Sequence, residues 1–213
     1  MVTNWIAENI VEIFGAVTGI AYVILEIKRN ILLWPLGIIT SAVYIYVFGR
    51  NGFYANMGLQ GYYLVISVYG WYMWRRQQAG DEGGPRTDVR RIDSATAVGC
   101  TLVAVILWAG LWFLLDRATD SPVPLWDGLI ASLSVVATWM LTRKYIEQWY
   151  VWIIANAIAV AVYLASGLYP TAVLFLVYFV MAIIGVRAWR KQSTVDSHQS
   201  SVISGNRGPG VMK

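Results

Sequence analysis

An all-α integral membrane protein of seven transmembrane helices is the fold class this sequence predicts, and three observations predict it. Of its 213 residues 58% are hydrophobic and only 13% charged, with a mean hydropathy of +0.56. Soluble domains carry about a quarter charged residues, so a soluble fold would leave this chain coated in apolar surface. Apolar stretches close to the ~20 residues that cross a bilayer core recur seven times along the chain. The basic residues, finally, follow every second stretch.

The spans read, in order, 5–26, 31–49, 53–74, 94–115, 124–142, 146–165 and 169–189. The first carries Glu8, Glu12 and Glu26 near its ends, where carboxylates snorkel to the interface. Glu8 and Glu12 and the lack of a basic start argue against a cleaved signal peptide. The second has Pro35 soon after it begins, a first-turn or kink position. The third holds a polar stripe, discussed below. The fourth contains the single Cys100, a packing residue without a disulfide or a cysteine-based metal site. The fifth opens on Asp127, an interface position, and includes Ser134 and Thr138, which offer a polar path inward. The sixth and seventh are rich in aromatic residues. A Gly-rich charged linker, "RRQQAGDEGGPRTDVRR", separates the third span from the fourth, and the tail from Gln192 is polar enough to predict disorder.

Charge placement sets the orientation. Fourteen of the sixteen Lys and Arg residues follow the first, third, fifth or seventh span; Arg50 and Arg117 are the two that do not. The positive-inside rule places the N-terminus outside and the C-terminus in the cytoplasm. A pI near 9.2 is thereby accounted for without nucleic acid.

The chain repeats itself at an ungapped offset of 115 residues. Trp34 maps onto Trp149, Gly52 onto Gly167, Tyr54 onto Tyr169 and Tyr63 onto Tyr178. Gly70 maps onto Gly185, Trp74-Arg75 onto Trp189-Arg190, and Lys28-Arg29 onto Arg143-Lys144. Three spans end on the opposite side from where they start, so two repeats facing the same way need one crossing between them. The fourth span supplies it. The expected plan is 3+1+3 with parallel repeats: residues 1–76, a linker and central helix over 77–123, a second repeat over 124–191, and a tail over 192–213. Parallel repeats are a recurring transporter plan, with substrate held near the midplane between them.

Candidate binding residues lie on two faces. Asn56, Gln60, Tyr63 and Ser67 follow at steps of 4, 3 and 4, one face of a helix. A polar face is costly against lipid, so it points to protein, water or ligand. Ser67 reads first as helix packing, and Gln60 as a ligand contact; the repeat-related positions of Asn56, Gln60 and Tyr63 are Thr171, Phe175 and Tyr178. In the sixth span Trp149, Trp152 and Asn156 follow at steps of 3 and 4. Indole rings stack on a planar heterocycle while an amide both donates and accepts. Trp149, close to Lys144, reads first as an interfacial belt residue. The sequence has no metalloprotease, phosphate-loop or serine-hydrolase pattern and no deep carboxylate pair. An ATP-driven pump and a metal or nucleophile enzyme therefore find no support, and no cofactor is expected.

Together "WPLGIITSAVYIY", "GFYANMGLQGYYLVISVYGWYMWRR" and "EQWYVWIIANAIAVAVYLASGLYPTAVLFLVYFVMAIIGVRAWRK" resemble the bacterial PnuC-type vitamin transporters over residues 10–191. Leu59-Gln60 and the Trp152 to Asn156 run are similar to that family's site positions. The resemblance implies a SWEET-like architecture, a homotrimer in the bacterial inner membrane, and facilitated diffusion completed by phosphorylation of the substrate. It implies nicotinamide riboside as substrate, which Asn156 favours, or thiamine or riboflavin as in relatives. A non-transporting receptor or scaffold is the alternative of another class.

Overall fold

Among the described residues the chain builds seven helices and no strand beyond one isolated bridge. The computed structural model describes residues 10–50, 54–79, 89–119 and 122–205. The helices are α1 (Ile10–Ile27), α2 (Leu33–Arg50), α3 (Tyr54–Ala79), α4 (Ser94–Ala118), α5 (Pro124–Thr142), α6 (Gln148–Ala165) and α7 (Tyr169–Gly205). Each expected span falls on a helix with ends displaced by a few residues, apart from the end of the seventh; the start of the first span, with Glu8, lies outside the described residues. Five helices, α2 and α4 to α7, are long and apolar enough to cross a membrane by length and composition. The described part of α1 is shorter, and the polar stripe and terminal arginines of α3 lower its hydropathy. Pro35 sits in the first turn of α2, where a missing N–H costs nothing.

The turn between α1 and α2 and the turn between α5 and α6 are built alike, 115 residues apart. Asn30 N–H donates to Leu25 O at 2.9 Å, and Tyr145 N–H to Met140 O at 3.1 Å. These six-residue closures are Schellman-type helix ends. They require a left-handed residue, and Arg29 (φ 52°) and Lys144 (φ 57°) supply it in place of glycine. The α6 to α7 turn closes the same way with Gly167 at φ 73°.

Packing at this end repeats the offset. The Trp34 and Trp74 rings meet edge to face at 5.4 Å and 89°, and those of Trp149 and Trp189 at 5.6 Å and 85°. Trp34 lies on Gly70 and Trp149 on Gly185, so closely that a Cβ on Gly185 would stand 2.6 Å from the ring. Between helices in lipid such close fit replaces the hydrophobic drive. All four indoles are at most 1% exposed and, with Leu33, Leu141, Val89 and Ile146, form the core. This core sits at the end of the bundle where the basic turns lie.

Sequence-adjacent helices pack together except α3 and α4, while α1 also packs on α7 and α3 on α5. The last residues of the linker are tied down: Arg90 N–H donates to Lys144 O and Ile146 N–H to Arg90 O, both at 3.0 Å. Ile92 N–H donates to the Glu147 carboxylate at 3.1 Å. The linker end and the 143–147 turn therefore share one end of the molecule. The earlier linker, residues 80–88 with Arg86, and the last residues, 206–213, lie outside the described residues. Asp93 then caps α4, accepting from the Thr96 N–H at 3.0 Å and its hydroxyl at 2.7 Å. α4 lies on α5 and buries none of its residues, Cys100 being half-exposed.

Two expectations change. α7 continues as one helix of 37 residues to Gly205, through a segment whose composition predicted disorder. Extending an existing helix adds one hydrogen bond per residue without a new nucleus. Glu26 does not snorkel: it is 2% exposed, folded into the core end of α1.

Candidate functional site

α6 presents the first candidate face. Trp149 is sealed against Gly185 and Trp189, which makes it a core residue rather than a belt residue. One turn outward, Trp152 is half-buried beside that core, and its indole N–H is buried with no hydrogen-bond partner. Asn156, a further turn on, is 4% exposed. Its amide makes no hydrogen bond with the described residues, yet it is not among the sealed, unpartnered groups. Among the described residues nothing bonds or seals this amide, which leaves it available to a ligand.

The α3 stripe divides by depth. Asn56 is exposed, and Gln60 is half-buried with no hydrogen bond among the described residues. The Tyr63 hydroxyl reaches Ser134 on α5, and beside it Tyr62 donates to Val135 O at 2.7 Å. Ser67 is 3% exposed and packed on Gly37 of α2, a helix-packing position. The opposite side of α3 carries a shallow apolar depression lined by Leu64, Val65, Val68, Tyr69 and Tyr72. It shares no residue with the stripe and suits lipid contact.

Tyr178 lies on α7 with its hydroxyl against Gly19 of α1. Phe175 meets it edge to face at 5.9 Å and stacks on Tyr163 at 5.2 Å. Tyr63 on Ser134 and Tyr178 on Gly19 are again related by 115 residues, so Tyr63 faces α5 and Tyr178 faces α1. Phe175, at the position related to Gln60, is thus committed to an aromatic stack.

α1 joins the two groups. Gly19 receives Tyr178, and Tyr22, three residues on, meets Ser67 of α3 over Gly37 and lies within electrostatic range of Tyr62 and Tyr63. Gly19 and Tyr22 lie about 60° apart around α1, so Tyr178 and the α3 tyrosines approach neighbouring parts of one face; no direct hydrogen bond links α3 to Trp152 or Asn156. The polar path expected in α5 is used up locally: Ser134 donates to Ile130 O at 2.7 Å and Thr138 to Ser134 O at 2.8 Å. Hydroxyls bonded back to their own helix have little left to offer a passing ligand.

Sequence reasoning missed Tyr22 and Gln148, and read Glu26 as an interfacial carboxylate. Tyr22 adjoins Glu26, and Glu26 faces Gln148 of α6. The four-residue spacing of Tyr22 and Glu26 places them on one helical face and was the available signal. Gln148, fully buried, sits in a turn-flanked position that gave none. Among the described residues no group of His, Cys, Asp and Glu is arranged to hold a metal ion.

Comparison with known proteins now adds to this geometry. Residues 9–191 match the model of the nicotinamide mononucleotide transporter family, and the chain belongs to that family. It is 26% identical over 201 residues to the nicotinamide riboside transporter PnuC of Escherichia coli strain K12, covering 84% of each chain. It is 25% identical over 198 residues to the riboflavin/roseoflavin transporter RibM of Streptomyces davaonensis, covering 87% of each. The crystal structure of the vitamin B3 transporter PnuC superposes with a TM-score of 0.69 at 21% identity, over 92% of this chain and 86% of that one. The fold is therefore that of a multi-pass membrane transporter.

Proposed function

We propose that this member of the family carries nicotinamide riboside across the bacterial inner membrane, down its gradient, with phosphorylation inside the cell trapping the product. The observation that carries the reading is the α6 face, where the Trp152 indole and the unbonded Asn156 amide stand one turn apart. A pyridinium ring over an aromatic face gains about 0.5–2 kcal/mol. The ring rests against Trp152 and Tyr178, and Asn156 and Gln60 hold its carboxamide or ribose hydroxyls. Tyr63 and Asn56 line the approach. The family and the PnuC relatives support a transporter rather than an enzyme.

The architecture we infer is 3+1+3: parallel repeats over 1–76 and 124–191, joined by the linker and α4. The paired turns, the paired Trp–Gly contacts and the crossed packing of α1 on α7 and α3 on α5 support it. The charge pattern supports an outer N-terminus and a cytoplasmic C-terminus. A homotrimer, implied by the family resemblance, has in α4 an apolar helix with no buried residue to offer a second copy or lipid.

Uptake into proteoliposomes tests the function. Labelled nicotinamide riboside should equilibrate without sodium or a proton gradient. Accumulation above the outside concentration that depends on an imposed ion gradient would overturn facilitated diffusion, and no uptake would overturn the substrate. Riboflavin is the second reading, favoured by the likeness to RibM, and competition by unlabelled riboflavin reads it out in the same vesicles.

A further inference from the structure

Glu26 is the one acidic side chain buried in the bundle among the described residues. It closes α1 at 2% exposure and faces Gln148 at the start of α6, which is fully buried. The two face each other without hydrogen-bond geometry: Glu26 Oε1 and both Gln148 amide atoms are buried and unpartnered. Trp189 of α7 donates to the Glu26 backbone carbonyl at 3.2 Å and leaves the carboxyl alone. The buried cation at this end, Lys144, is set over the Trp74 ring at 4.9 Å.

Packing does not require polar groups here. The positions related to Glu26 and Gln148 by the repeat are Leu141 and Leu33, and both are sealed equally well, at 1% and 0% exposure. Leucine fills this level of the core without the desolvation cost of a carboxyl and an amide. The polar pair also has a continuation. Tyr22 lies one turn before Glu26, its ring meets Ser67 of α3 over Gly37, it is within electrostatic range of Tyr62 and Tyr63, and Tyr63 reaches Ser134. A file of polar side chains thus leads from beside Gln60, through Tyr22, to Glu26 and Gln148 at the basic end.

We propose that Glu26, with Gln148 opposite it, is a specificity-determining residue of the inner passage. When the core end of the bundle parts, its carboxylate meets the positive charge of a cationic, hydroxylated substrate leaving the site above. Gln148 supplies donor and acceptor to the hydroxyls. Neutral molecules of the same shape gain nothing from the carboxylate and pass more slowly. The inference rests on the reading that a cationic nucleoside is carried between the two sets of helices.

The experiment compares two probes in proteoliposomes: nicotinamide riboside, a pyridinium cation, and its uncharged dihydro form. In Glu26→Gln the ratio of cation to neutral uptake should fall about tenfold, with calorimetric affinity for the cation within about twofold of the parent, a rate effect without a binding effect. The exchanged variant Glu26→Gln/Gln148→Glu returns the carboxylate to the same space from α6 and should restore the ratio. An unchanged ratio, equal losses for both probes, or misfolding of Glu26→Gln would assign Glu26 to packing and overturn the proposal. Failure of the parent protein to carry either probe would instead overturn the proposed function, and this inference with it.

Discussion

The two Trp–Gly clusters at the basic end are built alike and wired differently. Trp34 on Gly70 beside Trp74 matches Trp149 on Gly185 beside Trp189 in contact, angle and burial. Yet the Trp189 indole donates to Glu26 O, whereas Trp34, Trp74 and Trp149 keep buried N–H groups without partners. Trp74 instead lies under the Lys144 ammonium. The same asymmetry runs outward: Trp152 and Asn156 of α6 occupy the positions that Gly37 and Ser41 hold in α2, and Gln60 of α3 that of Phe175 in α7. The shared residues fix where helices approach, and the unshared ones carry the chemistry. A repeat that only packed would need no such differences.

The largest expected effects test the shared part. Gly70→Ala and Gly185→Ala each push a methyl into an indole ring, overpacking that typically costs about 1–3 kcal/mol. Trp34→Ala and Trp149→Ala leave cavities worth about 3–5 kcal/mol. Thermal unfolding of detergent-purified variants should give near-equal losses within each pair. Pairing Gly70→Ala with Trp34→Phe should recover part of the loss, and Gly185→Ala with Trp149→Phe likewise. A large loss in one cluster and none in the other would break the equivalence of the two sets of helices.

That equivalence was legible in the sequence because it rests on bulky and small residues at fixed spacing. Trp34, Gly70 and Trp74 and their counterparts announce a contact that the structure then makes. The left-handed turns were not announced, because Arg29 and Lys144 stand where glycine would have signalled them. Trp149 was misplaced to the interface, since sequence gives depth along a helix but not which neighbour opens a slot beside it; Gly185 does. Glu26 was misread for the same reason: an acid in the last turn of a span reads as snorkelling until Gln148 is seen to cover it. The stripe on α3 was legible as a face, and the division between Ser67, packed on Gly37, and Gln60, left unbonded, was not.

The unshared part answers to ligand binding rather than stability. A buried amide that loses its partner costs about 1–3 kcal/mol, and a decade of affinity is about 1.4 kcal/mol. Trp152→Ala and Asn156→Ala should each weaken nicotinamide riboside binding by roughly tenfold to a hundredfold in calorimetric titration. Gln60→Leu should fall at the lower end of that range, since Gln60 is only half-buried. Phe175→Leu should act on stability instead, because Phe175 is held in the stack with Tyr163. Normal affinity in folded Trp152→Ala and Asn156→Ala would remove the site from α6. Weakening by Phe175→Leu comparable to that of Gln60→Leu would mean that both sets of helices contribute alike, and would dissolve the asymmetry.

The smallest effect belongs to α4, the helix with no counterpart at the 115-residue offset. Its start is fixed by Asp93, fully exposed, whose carboxylate accepts from both the N–H and the hydroxyl of Thr96. The hydroxyl bond, the backbone bond and the exposed N-terminal peptides hold this carboxyl below its ordinary value. A carboxyl lowered in the folded state adds stability above its unfolded pKa, about 3.9, and loses it as pH falls through the folded value. The cap is therefore at full strength at neutral pH. Asp93→Asn should keep the cap and lose the acid dependence, since asparagine caps as well as aspartate, whereas Asp93→Ala should fray the first turn at every pH. Hydrogen exchange at Thr96 reads this directly: faster in the alanine variant, and faster in the parent only in acid. The turn at Arg29 should keep its protection throughout, because α4 packs chiefly on α5, and so should the turn at Lys144, because its bonds to Arg90 and Ile92 are made by the linker ahead of the cap. Loss of protection at those turns in Asp93→Ala would show that the connecting helix is coupled to the repeated framework.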